Sequence, residues 1–129
     1  MRYKGKKAKA WEAVKARTRR KEKHCYTCPA KWLEGANAQS GHYQPVAIVG
    51  SNNTRAWDER FIHLQCSRCN GAGQGMQVSY RRHLVRDYGE EVVVQYDKEV
   101  KAKKVSPVKD WDAIIKGYGK MPSMQEGRR

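Results

Sequence analysis

Acidic residues are scarce in this chain: 13 stand against 27 lysines and arginines among 129 residues, for a formal net charge of +14 at pH 7. So unbalanced a surface excludes a polycationic partner and favours a polyanion, of which nucleic acid is the leading class. Long apolar runs are absent too, as are a lipidation motif and a strongly amphipathic basic helix, which argues against a membrane partner. No secretory signal precedes the cysteines, so their thiols are expected to stay reduced, and two disulfides are the lesser reading.

Cysteines number only four, but their order is informative. Cys25-x-x-Cys28 and Cys66-x-x-Cys69 each place two thiolates on one short loop, and two such loops close a tetrahedral four-sulfur site of the kind that holds Zn²⁺ structurally. A full sulfur set leaves no open position, so a catalytic ion must bind elsewhere. The length allows only a modest core, and bound zinc would add roughly 10 kcal/mol or more to folding.

Charge is uneven. Residues 2–23 hold eleven lysines and arginines against Glu12 and Glu22, which predicts a basic N-terminal arm or helix over 1–23. Good helix formers run from Lys7 to Lys23, with Trp11, Val14 and Thr18 on one side. Either it is a solvated tail or its Lys15, Arg19 and Arg20 contact phosphates, with Trp11 anchoring it. After an irregular stretch from Pro29 to Ser40, Tyr43, Val46, Ile48 and Val49 suggest a strand closed by the turn at Gly50–Asn53, with a return strand over Arg60–Cys66. Met76, Tyr80, Leu84 and Tyr88 then recur every four residues up to Gly89, an amphipathic helix with its stop. Residues 90–100 fit strand and helix periods equally. Ser106-Pro107 reads as a helix start for the apolar stripe Trp111, Ile114, Ile115 and Tyr118. That last helix either packs on the domain or pairs two copies into a homodimer.

Gly41-His42-Tyr43, Arg55 to Gln65, Cys66-Ser67-Arg68-Cys69-Asn70, Gly75, Tyr80, Leu84 and Tyr88-Gly89 together resemble the HNH endonucleases of the ββα-metal (His-Me finger) group, specifically the phage recombination family NinG, also called Rap. The likeness spans roughly residues 24–120, and its Cys-x-x-Cys-Asn piece is also similar to phage recombination endonuclease VII. The resemblance implies an α+β fold: a zinc-clamped ββα-metal core over 24–89, a helical extension over 90–120, for which it favours a helix at 90–100, and a tail at 121–129. It implies a structure-specific DNA endonuclease acting on branched recombination intermediates such as four-way junctions and D-loops, in the bacterial host cytoplasm.

In such a site His42 is the candidate base that activates water, and Asn70 the candidate oxygen ligand for a catalytic Mg²⁺ or Mn²⁺, with an N-cap as its structural alternative. His63 is a candidate second ligand. Arg55, Arg60, Arg68, Arg81, Arg82 and Arg86 are candidates for a strand-binding channel, although each alone fits a solvated face. His24 and His83 are read as structural. Three positions depart from the wider pattern: Gly41 stands where many members carry a metal-binding Asp, Phe61 where the middle Asn of the HNH name stands, and Met76 where an Asn usually follows Gly75. Gly41 and Phe61 favour the rival expectation of a noncatalytic zinc-dependent DNA-binding accessory protein. A general HNH nuclease without junction preference is the nearer alternative.

Overall fold

A computed structural model describes residues 3–104 and 106–119 of the chain, so the expected tail at 121–129 lies outside the described residues. In order, the chain forms α1 (Gly5–Lys21), β1 (Gln39–His42), the one-turn α2 (Val46–Val49), β2 (Ile62–Gln65), α3 (Gln77–Tyr88), α4 (Glu90–Lys101) and α5 (Trp111–Gly119). Short 3-10 turns join several of these, and a π-turn spans Arg68–Ala72. Among the described residues, five helices around one two-stranded sheet make an α+β architecture. No helix among the described residues is long and apolar enough to cross a membrane.

The basic N-terminal stretch is a packed helix. Its Ala10, Val14, Arg17 and Thr18 are buried, and Ala10 and Val14 share a cluster with Trp57, Ile62 and Tyr118, against which Trp111, Ile114 and Ile115 lie partly buried. Fully burying a side chain such as Val14 contributes about 2 kcal/mol. α5 lies along α1, tied by Lys6 to Asp112 at 2.8 Å and by Arg20 donating to the Tyr118 carbonyl at 3.2 Å. The apolar stripe of α5 is therefore used within the chain, and the helix begins four residues past the expected Ser106-Pro107 start. Asp110 caps it, its carboxylate accepting from the Ala113 N–H at 3.0 Å. Ser106 and Pro107 instead dock on the interstrand connection: Thr54 donates to the Ser106 carbonyl at 2.8 Å, and Asn53 bridges Pro107.

The first strand also differs from expectation. It runs Gln39–His42 and pairs antiparallel with β2 in the register Gln39 with Gln65 and His42 with Ile62. Val46–Val49 is a helical turn instead. Pro45 has no N–H to give a ladder, its carbonyl accepts from Ile48 and Val49, and Gly50 ends the turn at φ +101°. β-branched residues were outweighed by this proline and glycine. β2, buried at all four positions, supplies the burial that makes the polar Gln39–His42 a strand.

α3 follows its predicted period, burying Tyr80 and Leu84 and ending at Gly89, φ +96°. The ambiguous residues 90–100 are helical, with Val93 and Tyr96 buried against Tyr26, Tyr43, Phe61 and Tyr80.

Candidate functional site

Two loops bring the four cysteines together, with all four sulfurs within 4.8 Å of one another and none in a disulfide. Zn–S bonds of about 2.3 Å imply tetrahedron edges of about 3.8 Å; Cys28 and Cys66 sulfurs are 3.7 Å apart. The donor set and its spacing fit Zn²⁺ in a structural role. Burial opposes ionisation of Cys25, yet the Cys66 N–H and the Thr27 hydroxyl and N–H outweigh it and bring that thiol down to about 7. Burial and the neighbouring sulfurs push Cys69 up to about 12. Cys25 forms its thiolate readily while burial makes Cys28 and Cys69 resist, and a divalent cation relieves the repulsion among neighbouring thiolates.

The second sulfur loop leads into the π-turn and so fixes Asn70, whose N–H donates to the Cys66 carbonyl at 3.0 Å. Asn70 does not cap α3, which starts beyond Met76. Its Nδ2 donates to Gln39 Oε1 at 2.8 Å, which turns Oδ1 toward Gly41. Asn70 and His42 border one cleft of about 450 Å³, together with Trp11, Tyr43, Pro45 and Gly75. At the end of β1, the His42 ring stacks on Trp11 with centroids 5.5 Å apart and planes 16° apart. His42 Nε2 lies 2.8 Å from the Ala56 carbonyl. A carbonyl only accepts, so Nε2 carries the proton and Nδ1 keeps a lone pair. Burial lowers the His42 pKa from 6.5, opposed in part by the Ala56 hydrogen bond. The ring is thus a neutral acceptor near physiological pH.

Gly41 has a steric reason. A Cβ there would lie 1.8 Å from Gln65 Oε1 and 2.9 Å from Asn70 Oδ1, so an aspartate at this position would have to evict the Gln65 side chain. Gln65 is fully buried, its amide oriented by donation to Thr27 Oγ1 at 2.9 Å and the Gly75 carbonyl at 3.0 Å. Its Oε1 has no hydrogen-bond donor among the described residues and rests against Gly41 Cα, a weak C–H···O contact. Sequence reasoning gave Gln65 no role, because nothing in its spacing distinguishes it from any buried strand residue. No aspartate or glutamate borders the cleft among the described residues. Asn70 Oδ1 is a suitable hard ligand for Mg²⁺ or Mn²⁺, and water and substrate oxygens would have to complete the shell.

His63 is not brought to this cleft. Paired with Gly41, it faces the opposite side of the sheet from His42. Its Nδ1 is 2.6 Å from Glu22 Oε2, its Nε2 3.0 Å from the Arg60 carbonyl and 3.2 Å from the Tyr88 hydroxyl. Tyr26 stacks on the ring at 3.8 Å. Both nitrogens are engaged, so His63 is a structural residue rather than a metal ligand. Phe61 packs on Tyr96 at 3.8 Å. The hairpin is braced instead by the Tyr80 hydroxyl, 2.6 Å from the Gly41 carbonyl and 3.3 Å from that of Phe61. His83 Nδ1 meets the Tyr26 carbonyl, and Met76 turns at φ +52°, partly exposed.

Four of the candidate arginines have acidic partners: Arg55 with Glu99, Arg60 with Asp58, Arg81 with Asp97 and Arg86 with Asp87, at 2.7 to 3.0 Å. Arg19 donates to the Ala38 carbonyl and Lys15 pairs with Glu12. Arg68 and Arg82 are exposed with no acidic partner among the described residues, and are the ones best placed to meet phosphate. Asp58 and Asp87 are close sequence neighbours of Arg60 and Arg86, whereas Asp97 and Glu99 lie on α4, a pairing that charge counting cannot reveal.

The family described as Bacteriophage Lambda NinG protein matches residues 2–124. Protein ninG of Escherichia phage 933W is 36% identical over 86 residues, covering 65% of this chain and 40% of that protein. The ninG proteins of Escherichia phage lambda and Enterobacteria phage H19B are 35% and 33% identical over 86 and 84 residues, with the same coverage. The chain thus matches only 40% of these relatives' length. No solved structure matches. With nearly its whole length matched, the chain belongs to the NinG family of phage proteins.

Proposed function

We propose that the chain is a divalent-metal-dependent endonuclease of the HNH type that hydrolyses phosphodiester bonds in branched recombination DNA. The carrying observation is His42: its Nε2–H is held by the Ala56 carbonyl, its Nδ1 keeps a lone pair, and it borders the same cleft as the Asn70 amide. In this reading Nδ1 takes a proton from water, the water oxygen bonds to phosphorus, and the bond to the departing oxygen breaks. The Ala56 carbonyl steadies the imidazolium that forms, as a fixed acceptor does in other histidine bases. A divalent ion, held in part by Asn70 Oδ1, would supply charge stabilisation for the phosphate and the leaving oxygen. Gln39 orients Asn70, Tyr80 holds the two strand ends, and Arg68 and Arg82 would engage flanking phosphates. The preference for branched DNA is carried over from the resemblance of the sequence to the phage recombination family NinG and to recombination endonuclease VII. Two symmetric strands of a junction are best served by two copies, so a homodimer on DNA belongs to the proposal, and mass by light scattering with and without junction decides it.

A noncatalytic DNA-binding accessory protein is the second reading, favoured by the lack of a carboxylate at the cleft among the described residues. The deciding experiment incubates zinc-loaded protein with an end-labelled four-way junction and a matched linear duplex, in Mg²⁺, Mn²⁺ or chelator, beside His42→Ala. Ion-dependent junction cutting that His42→Ala lowers by about 10²–10⁴-fold at unchanged affinity supports the enzyme. Equal cutting of both DNAs points to a general nuclease, and binding without cutting to the accessory protein.

A further inference from the structure

Trp32 is the most exposed large aromatic among the described residues, at 71% of its free surface. It stands on the loop that follows Cys28. The chain there returns on itself through a His24–Lys31 bridge, with the Cys25 N–H donating to Ala30 and the Leu33 N–H to Lys23. Leu33 enters the apolar cluster around Cys25, Cys66 and Cys69, so its neighbour is thrown outward. Trp32 adopts φ +56°, a conformation a bulky side chain rarely takes. Its one ring neighbour among the described residues is His24, tilted 54° at 5.4 Å, a contact that covers little of the indole.

Leaving an indole in water is unfavourable, and Trp is the side chain most enriched at binding hot spots. The surrounding charge selects the occupant. Lys23 and Lys31 are exposed on either side of the bridge, with Arg19 and Arg20 exposed on the last turn of α1. Glu22, an acid within that stretch, is buried against His63. With Glu34 the one exposed acid close in sequence against Lys23, Lys31, Arg19 and Arg20, a flat aromatic face among cations in excess suits a ligand that is apolar and planar in one part and anionic in the next, which describes an unstacked nucleotide. In paired DNA the base faces are already covered, so the site would be sensitive to unpaired positions alone.

We infer that Trp32 is a stacking platform for an unpaired DNA base, held rigid by the sulfur cluster and flanked by lysines that take the phosphates. It rests only on the DNA-binding part of the proposed function and not on cleavage. The test measures anisotropy of zinc-loaded full chain on three labelled DNAs: a continuous duplex, the same duplex with a short single-stranded gap, and the gapped duplex with abasic sites. The wild type should prefer the gapped DNA over its abasic counterpart, Trp32→Ala should weaken gapped binding roughly tenfold or more, and Trp32→Phe should retain most of it. Duplex affinity should be unchanged in both variants. Equal gapped binding by wild type and Trp32→Ala, or an equal loss on all three DNAs, overturns the inference while leaving DNA binding standing. Failure of the wild type to bind any DNA overturns both. Trp32-dependent binding without cutting upholds the platform and removes the nuclease.

Discussion

On its two faces the small sheet carries two histidines, diagonal across the strands, that share a backbone carbonyl at Nε2 and a stacked aromatic ring but differ at Nδ1 and in what they border. His63 is 2% exposed, has both nitrogens engaged and lies under a tyrosine ring. His42 has one nitrogen fixed by a carbonyl and borders a cleft. The arginines divide the same way, with Arg60 and Arg86 paired to carboxylates and Arg68 and Arg82 open. Residue type and position in a motif do not separate these groups. What separates them is which polar atoms the fold has already satisfied.

Removing what holds both faces should have the largest effect. A strong chelator, or Cys69→Ser, is expected to abolish cooperative folding, since structural zinc contributes about 10 kcal/mol or more; unchanged circular dichroism and thermal melting after zinc extraction would break the comparison at its base. Next comes the histidine pair in urea. His63→Ala strips the buried Glu22 carboxylate of its ring partner and should cost about 3–5 kcal/mol. His42→Ala should cost about 1 kcal/mol and leave the slope of the transition unchanged, so similar losses would erase the distinction. Smaller is the ionic effect: Arg68→Ala with Arg82→Ala should reduce the slope of log affinity against log salt by about two, whereas Arg60→Ala with Arg86→Ala should barely change it. Smallest is the pH dependence. His42 has its pKa lowered by burial, so the unfolded chain takes the proton first. Its contribution is intact above the unfolded value of 6.5 and declines as pH falls below it. Wild type should therefore lose stability relative to His42→Ala on acidification, seen as denaturation midpoints between pH 7 and 5 drawing together or crossing.

Elements whose apolar spacing matched their packing were legible in the sequence. Tyr80, Leu84 and the Gly89 stop gave α3, and Trp111 to Tyr118 gave the body of α5. The sulfur cluster followed from paired spacing alone. The first strand was not legible, because Gln39-Ser40-Gly41-His42 has little strand propensity and forms by pairing with a wholly buried partner. α1 was legible as an arm or helix with Val14 and Thr18 on its packed side, whereas Ala10 and the aliphatic stem of Arg17, which complete the buried stripe, were hidden by the surrounding charge. At the site, His42 and Asn70 do share a cleft, whereas the fate of His63 depended on Glu22, distant in sequence. Gln65 and Trp32 were invisible because their roles come from what their neighbours leave uncovered.

Ala56, whose carbonyl orients His42, belongs to the 3-10 turn Thr54–Trp57, which Asn53 caps locally and which is held from a distance as well. It is tied to the distal segment by Thr54 donating to Ser106, Val108 donating to Asn52 and the Asn53–Pro107 bridge. The tuning of the proton acceptor is thus anchored some fifty residues downstream, by a segment that does not border the cleft. In the proposed nuclease, loosening that tether, for example with Pro107→Gly, should slow the bond-breaking step and shift its acid limb while DNA affinity stays as it was. Damage near the end of the fold would then register as a mistuned acid–base group rather than as a lost grip.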